Sequence, residues 1–192
     1  DPEGRVVFHD YRRHEAQVRA TLRGMLGEAG DLLGAARLVV RVTGSAGMGI
    51  SERLDLPFIQ EVVAATEAAR LAFPGVRALV DIGGEDSKLV LIDSQGRADI
   101  RMNGSCAGGT GAFIDQVAAL LDCPVEDFDA LAARHDTTPC IASRCGVFAR
   151  TDVQTLLAQG VPRADIAAAV YRAVAQQVLT TLARGAELRP KL

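Results

Sequence analysis

Two cysteines carry the strongest chemical signal in this sequence. Cys106 lies in the run N-G-S-C-A-G-G-T-G at residues 103–111, and Cys145 in I-A-S-R-C-G-V-F at residues 141–148. Each run contains glycine and leads into a segment of helical pattern. A thiol at a helix N-terminus feels the positive end of the dipole, which favours the thiolate, the form that binds metal or attacks an electrophile. The glycine run with Gly108, Gly109 and Thr110 is equally suited to cradle an anion at that helix end, or to hold a small cysteine in a tight loop. No C-x-x-C pair occurs anywhere, which is a poor match to a four-cysteine zinc site within one chain. Two cysteines per chain instead allow a four-cysteine site completed by a second copy. Cys140 is a spare near Cys145, and Cys123, before Pro124, suits a capping position. Arg144 stands beside Cys145 either to balance thiolate charge or to pair with a carboxylate.

A second segment of interest is D-I-G-G-E-D-S-K at residues 81–88. An apolar strand ends in Asp81 and passes through Gly83 and Gly84 into the next strand. Glycines let backbone N–H groups approach a phosphate, and an adjacent carboxylate suits Mg²⁺. The same residues also describe an ordinary β-hairpin with a glycine turn. Lys88 is either a phosphate contact or a solvated strand charge. His9, His14 and His135 have no partner spacing and suit the surface. Ser45 lacks a G-x-S-x-G setting, and no Ser/His/Asp set is present.

The elements that must position these residues follow from pattern. Residues 5–8 (R-V-V-F) and 38–42 (L-V-V-R-V) read as strands. Between them a helix starts near Arg13, with Val18, Leu22, Met25 and Leu26 on one face and Gly27 or Gly30 to stop it. The run T-G-S-A-G-M-G at residues 43–49 reads as loop, and Pro57 as the first residue of a helix reaching Phe73. Three strands are expected at residues 78–82, 88–92 and 98–102, with glycine turns between them. Helices follow at residues 113–121, from Pro124 to Arg134, from Asp152 to Gln159, and from Pro162 to a stop at Gly185. The order gives an α/β fold with a mixed sheet and a helical C-terminal part.

Composition narrows the function classes. The 192 residues are 48% hydrophobic, with 21 basic and 24 acidic side chains and a net charge of -3. That balance leaves no footprint for nucleic acid or an anionic membrane. No apolar run reaches the length of a membrane span, and no signal peptide is visible at Asp1-Pro2-Glu3-Gly4. Four cysteines do not make a disulfide framework, so a cytoplasmic setting with reduced thiols is expected.

Taken together, T-G-S through Gly49, P-F-I-Q-E-V at residues 57–62, residues 81–88, the cysteine run from Cys106 to Phe113 and S-R-C-G-V-F at residues 143–148 resemble one family. It is that of the activators of 2-hydroxyacyl-CoA dehydratases and the ATPase subunits of benzoyl-CoA reductase. The stretch from Arg101 to Gln116 is most similar to the large CoA-substrate-specific enzyme activases. The resemblance implies a partial actin-like ATPase (ribonuclease H-like) domain across residues 1–192, in a homodimer bridged by one [4Fe–4S] cluster. Cys106 and Cys145 would be its ligands from each copy. Asp81, Gly83 and Gly84 match a phosphate-binding turn. ATP and Mg²⁺ belong to the complete protein, whose work would be to pass a low-potential electron to a CoA-substrate dehydratase or reductase. A sugar-kinase-like phosphotransferase and a zinc-binding scaffold module are the alternatives. An aspartate–glycine–serine/threonine phosphate loop and an adenosine-binding turn are not found in these residues, so the polypeptide alone is expected to bind ATP poorly.

Overall fold

The computed structural model describes residues 5–104, 107–143, 145–186 and 188. Cys106 and Arg144, both singled out above, lie outside them. The chain divides into two compact units, Asp1–Phe58 and Ile59–Leu192.

The first unit holds two helices, α1 (Val18–Leu33) and α2 (Ser45–Leu54). Helix α1 runs through Gly27 and Gly30, the expected stops, and ends at Gly34 with φ 58°. Interior glycine costs only about 1 kcal/mol, whereas a left-handed C-terminal residue needs it. Residues 45–49, expected as loop, form the first half of α2. Gly44 supplies the entry geometry with φ 81°, and Gly47 is required because an added Cβ would lie 2.7 Å from Val42 Cγ1. The expected strands at residues 5–8 and 38–42 do not form. A strand needs a hydrogen-bonded neighbour along its length, and among the described residues the only pairing here is one parallel bridge, Val42 with Phe58. Val6 and Val39 are correspondingly exposed, at 78% and 81%. The Pro57 carbonyl accepts from the Val42 N–H at 3.0 Å, so the next helix opens four residues after Pro57.

The second unit begins with that helix, α3 (Glu61–Ala72). Strands β1 (Ala78–Ile82), β2 (Ser87–Ile92) and β3 (Ala98–Asn103) follow as an antiparallel meander in the order β1-β2-β3. Asp81 faces Lys88 and Ile82 faces Ser87 across the first pair, while Ser87 faces Asn103 across the second. The central strand is buried from Ser87 to Val90. Helices α4 (Gly111–Leu120), α5 (Phe128–Ala132), α6 (Gly146–Ala158) and α7 (Arg163–Gln177) complete the unit, with a π-helical extension at Val178–Ala183. Arg184 and Gly185, both at positive φ, end it where glycine was expected to.

The helical core joins Phe113, Val117, Leu121, Phe128, Val153, Ile166 and Val170, all but fully buried. At about 1.5–3 kcal/mol for each large apolar side chain, this cluster dominates the unit's stability. A smaller cluster seats Ala78 and Leu89 of the sheet on Val178, Leu182 and Ala183. Arg101 of β3 reaches the same helical end, donating through Nη1 to the Leu182 carbonyl at 2.9 Å and the Ala183 carbonyl at 2.5 Å. Helix α6 opens at Gly146, several residues ahead of the expected Thr151–Asp152 start. Buried Ala149 and Val153 anchor this earlier turn, while Val147 and Phe148 stay exposed at 74% and 67%. The α/β order with a helical C-terminal part is therefore as expected.

Candidate functional site

Asp81 sits one residue before the end of β1, and residues 83–86 form the turn into β2. The turn closes only with glycine at position 83. An added Cβ there would meet Asp86 Oδ1 at 2.9 Å and the Asp86 carbonyl at 3.1 Å, whereas Gly84 has open space around it. The Gly83 carbonyl accepts from the Gly111 N–H at 2.8 Å, and the Gly84 carbonyl from the Ala112 N–H at 3.3 Å. The turn is thus fastened to the first residues of α4. The Gly111 and Ala112 N–H groups at that helix start donate to the turn, and that of Phe113 to the Thr110 carbonyl.

Lys88 is not a solvated charge. Only 4% of it is exposed, and its Nζ lies 2.7 Å from Asp86 Oδ1, 3.5 Å from Glu61 Oε2 and 3.6 Å from Asp81 Oδ2. Cross-strand register brings Asp81 to it, the tight turn brings Asp86, and the first turn of α3 brings Glu61. Burial pulls the ammonium toward neutrality, but the hydrogen bond to Asp86 and the charges of Glu61, Asp86 and Asp81 outweigh it. The group titrates above the ordinary lysine range. Glu61 is the residue that sequence reasoning gave no role. Its place at a helix start three residues beyond Phe58 offered no hint of a partner in the sheet.

The glycine run is packed on two sides. Thr110 is fully buried and caps α4, although no side-chain capping bond forms. An added Cβ on Gly108 would stand 2.7 Å from the Gly146 nitrogen and 3.4 Å from the Cys145 carbonyl carbon. One on Gly109 would stand 2.9 Å from Gln177 Cγ. Gly108 therefore brings the chain that follows the first cysteine run against the backbone of the second. Cys145, partly buried, is the N-cap residue of α6, at the positive end of that helix. The approach to it is fixed by Asp152, which accepts from the Ala142 N–H at 2.8 Å. The Cys123 thiol donates to the Pro124 carbonyl at 3.3 Å and is not a capping side chain, and Cys140 is exposed. His135 bonds the Ala132 carbonyl at 2.8 Å, in keeping with a surface position. Among the described residues no three His, Cys, Asp or Glu side chains gather into a metal site.

The seam thus runs from Asp81 and Gly83–Gly84 to the start of α4, and from Gly108 to Cys145. Three sequence segments chosen for their chemistry meet along it, and Cys106 alone of the proposed set lies outside the described residues.

Comparison with known proteins gives the chain its relatives. The chain is 36% identical over 111 residues to the (R)-2-hydroxyglutaryl-CoA dehydratase activating ATPase of Acidaminococcus fermentans, covering 58% of this chain and 43% of that one. It is 31% identical to the 2-hydroxyisocaproyl-CoA dehydratase activator of Clostridioides difficile, covering 76% of this chain and 54% of that one. The chain spans about half the length of these curated relatives. The solved structure of the activator of the 2-hydroxyisocaproyl-CoA dehydratase from Clostridium difficile with bound ADPNP superimposes with a TM-score of 0.78 at 29% identity. That match covers 88% of this chain and 63% of the other. The model of the BadF/BadG/BcrA/BcrD ATPase family matches residues 7–192, and the chain belongs to that family.

Proposed function

We propose that this chain is the cluster-bearing part of an ATP-dependent reductive activator of a CoA-substrate dehydratase or reductase. Cys106 and Cys145 from each of two copies would hold a [4Fe–4S] group between them. The residues present fit such a group. Cys145 offers a partly exposed thiol at the positive end of α6, and only glycine at position 108 lets the chain lie against the Cys145–Gly146 backbone. When bound, the group supplies one low-potential electron to the partner enzyme.

The chain's own residues account for how a nucleotide would influence it. Asp81 would be the carboxylate that orients Mg²⁺ and Gly83 and Gly84 the turn that meets phosphate, with the buried run of Gly108, Gly109 and Thr110 supporting the helix start that holds the turn. Lys88 holds the charge of Asp81 and Asp86 in check beneath the turn. The single observation that carries the reading is the hydrogen bond from the Gly111 N–H to the Gly83 carbonyl. Any shift of the phosphate turn must move α4 and the glycine run, and Gly108 transmits that shift to the start of α6.

The test is anaerobic reconstitution with iron and sulfide. The chain is expected to gain broad visible absorption and about four irons per pair of copies. The Cys106→Ala, Cys145→Ala double variant is expected to take up none. A colourless wild-type protein, or equal iron in the variant, would overturn the assignment.

A further inference from the structure

Gln177 is the last residue of α7, at the junction with the π-helical extension. It is 4% exposed, and its Oε1 is buried with no hydrogen-bond partner among the described residues. A buried acceptor left unsatisfied costs as much as a lost hydrogen bond, so such groups are rare unless a partner arrives from elsewhere. The side chain lies along Gly109, where an added Cβ would be 2.9 Å from Cγ and 3.4 Å from Cδ. It is aimed at the glycine run and away from solvent. The π-helical turn that follows is a rare geometry that is frequent at functional positions. Arg101 ties the far end of that turn to β3, the strand that leads toward the cysteine segment. The helix end is therefore attached on both sides of that segment, through Arg101 ahead of it and Gln177 after it.

We infer that Gln177 is a positioning residue for the cysteine site, and the inference rests on the cluster reading above. Its carboxamide is held in reserve for a peptide group of the Gly108–Gly109 stretch and takes that bond when the thiols are loaded. Loading then satisfies a buried acceptor, which couples metal occupancy to the end of α7.

The experiment compares the full chain and its Gln177→Leu and Gln177→Glu variants, each unloaded and after anaerobic reconstitution with iron and sulfide. The readouts are iron content, the urea unfolding midpoint and resistance of the iron to a chelator. Leucine removes the orphaned acceptor at similar volume. The unloaded Gln177→Leu protein is expected to unfold at the same or higher urea than wild type, while its loaded form loses iron about tenfold faster, the scale of one buried hydrogen bond. Gln177→Glu keeps an acceptor and is expected to retain iron better than Gln177→Leu. If Gln177→Leu lowers the unloaded midpoint, or releases iron at the wild-type rate, the positioning role is overturned while the cluster reading stands. If wild type takes up no iron, both fall.

Discussion

At the level of single residues, the ammonium of Lys88 has three carboxylates within 3.6 Å, two on its own hairpin and one on α3. Replacing it by methionine keeps the volume but leaves Asp81, Asp86 and Glu61 facing one another. These carboxylates retain some solvent contact, so the cost falls below that of breaking a fully buried pair, about 1–3 kcal/mol in urea unfolding at neutral pH. The pH dependence follows from the raised lysine pKa. Its contribution is complete below the unfolded value, near 10.4, and is lost as pH climbs through the higher folded value. The gap between wild type and Lys88→Met is therefore expected to close in strongly alkaline solution, and a constant gap would refute the network. Asp165 gives the opposite sign. The Thr137 hydroxyl and the Thr137 and Asp136 N–H groups hold its carboxyl below the ordinary range. That contribution is present above about pH 4 and lost as pH falls through the depressed folded value. The urea midpoint of Asp165→Asn should accordingly decline less steeply with acid than that of wild type.

Among the elements, the packing around the glycine turn and α4 depends on glycine at positions 83 and 108. Gly108→Ala would drive a methyl group into the Gly146 backbone, with no flexible side chain to yield. A loss of about 1–3 kcal/mol is expected, together with poorer iron uptake, measured by urea unfolding and iron analysis. Uptake equal to wild type would show that the approach of the two runs is incidental. Much of this was legible from the sequence. The three strands fell almost to the residue where alternating β-branched runs and glycine turns put them. What failed did so for reasons of partnership. Residues 5–8 and 38–42 have strand composition, but composition does not supply a neighbour to pair with. Residues 45–49 looked like loop because glycine and serine favour turns, yet Gly44 entry geometry and small-residue packing made them helix. The site's segments were legible through their glycines and cysteines. The Glu61–Lys88 pair and the Gln177–Gly109 contact were not, since each joins residues far apart in sequence with no local pattern to announce it.

For the molecule as a whole, the proposed function makes the two cysteine-bearing segments of each chain half of a site, with a second copy supplying the rest. No helix is long and apolar enough to cross a membrane among the described residues. Val147 and Phe148, two and three residues after Cys145, are exposed apolar side chains in the first turn of α6. Native mass spectrometry of the anaerobically reconstituted chain reads the ligands, the shared cluster and the pairing of copies at once. The expected species is two chains with four irons and four sulfides, falling to single chains when the iron is chelated and absent in the Cys106→Ala, Cys145→Ala variant. A single chain carrying the whole cluster, or a pair of chains that persists unchanged without iron, would contradict it.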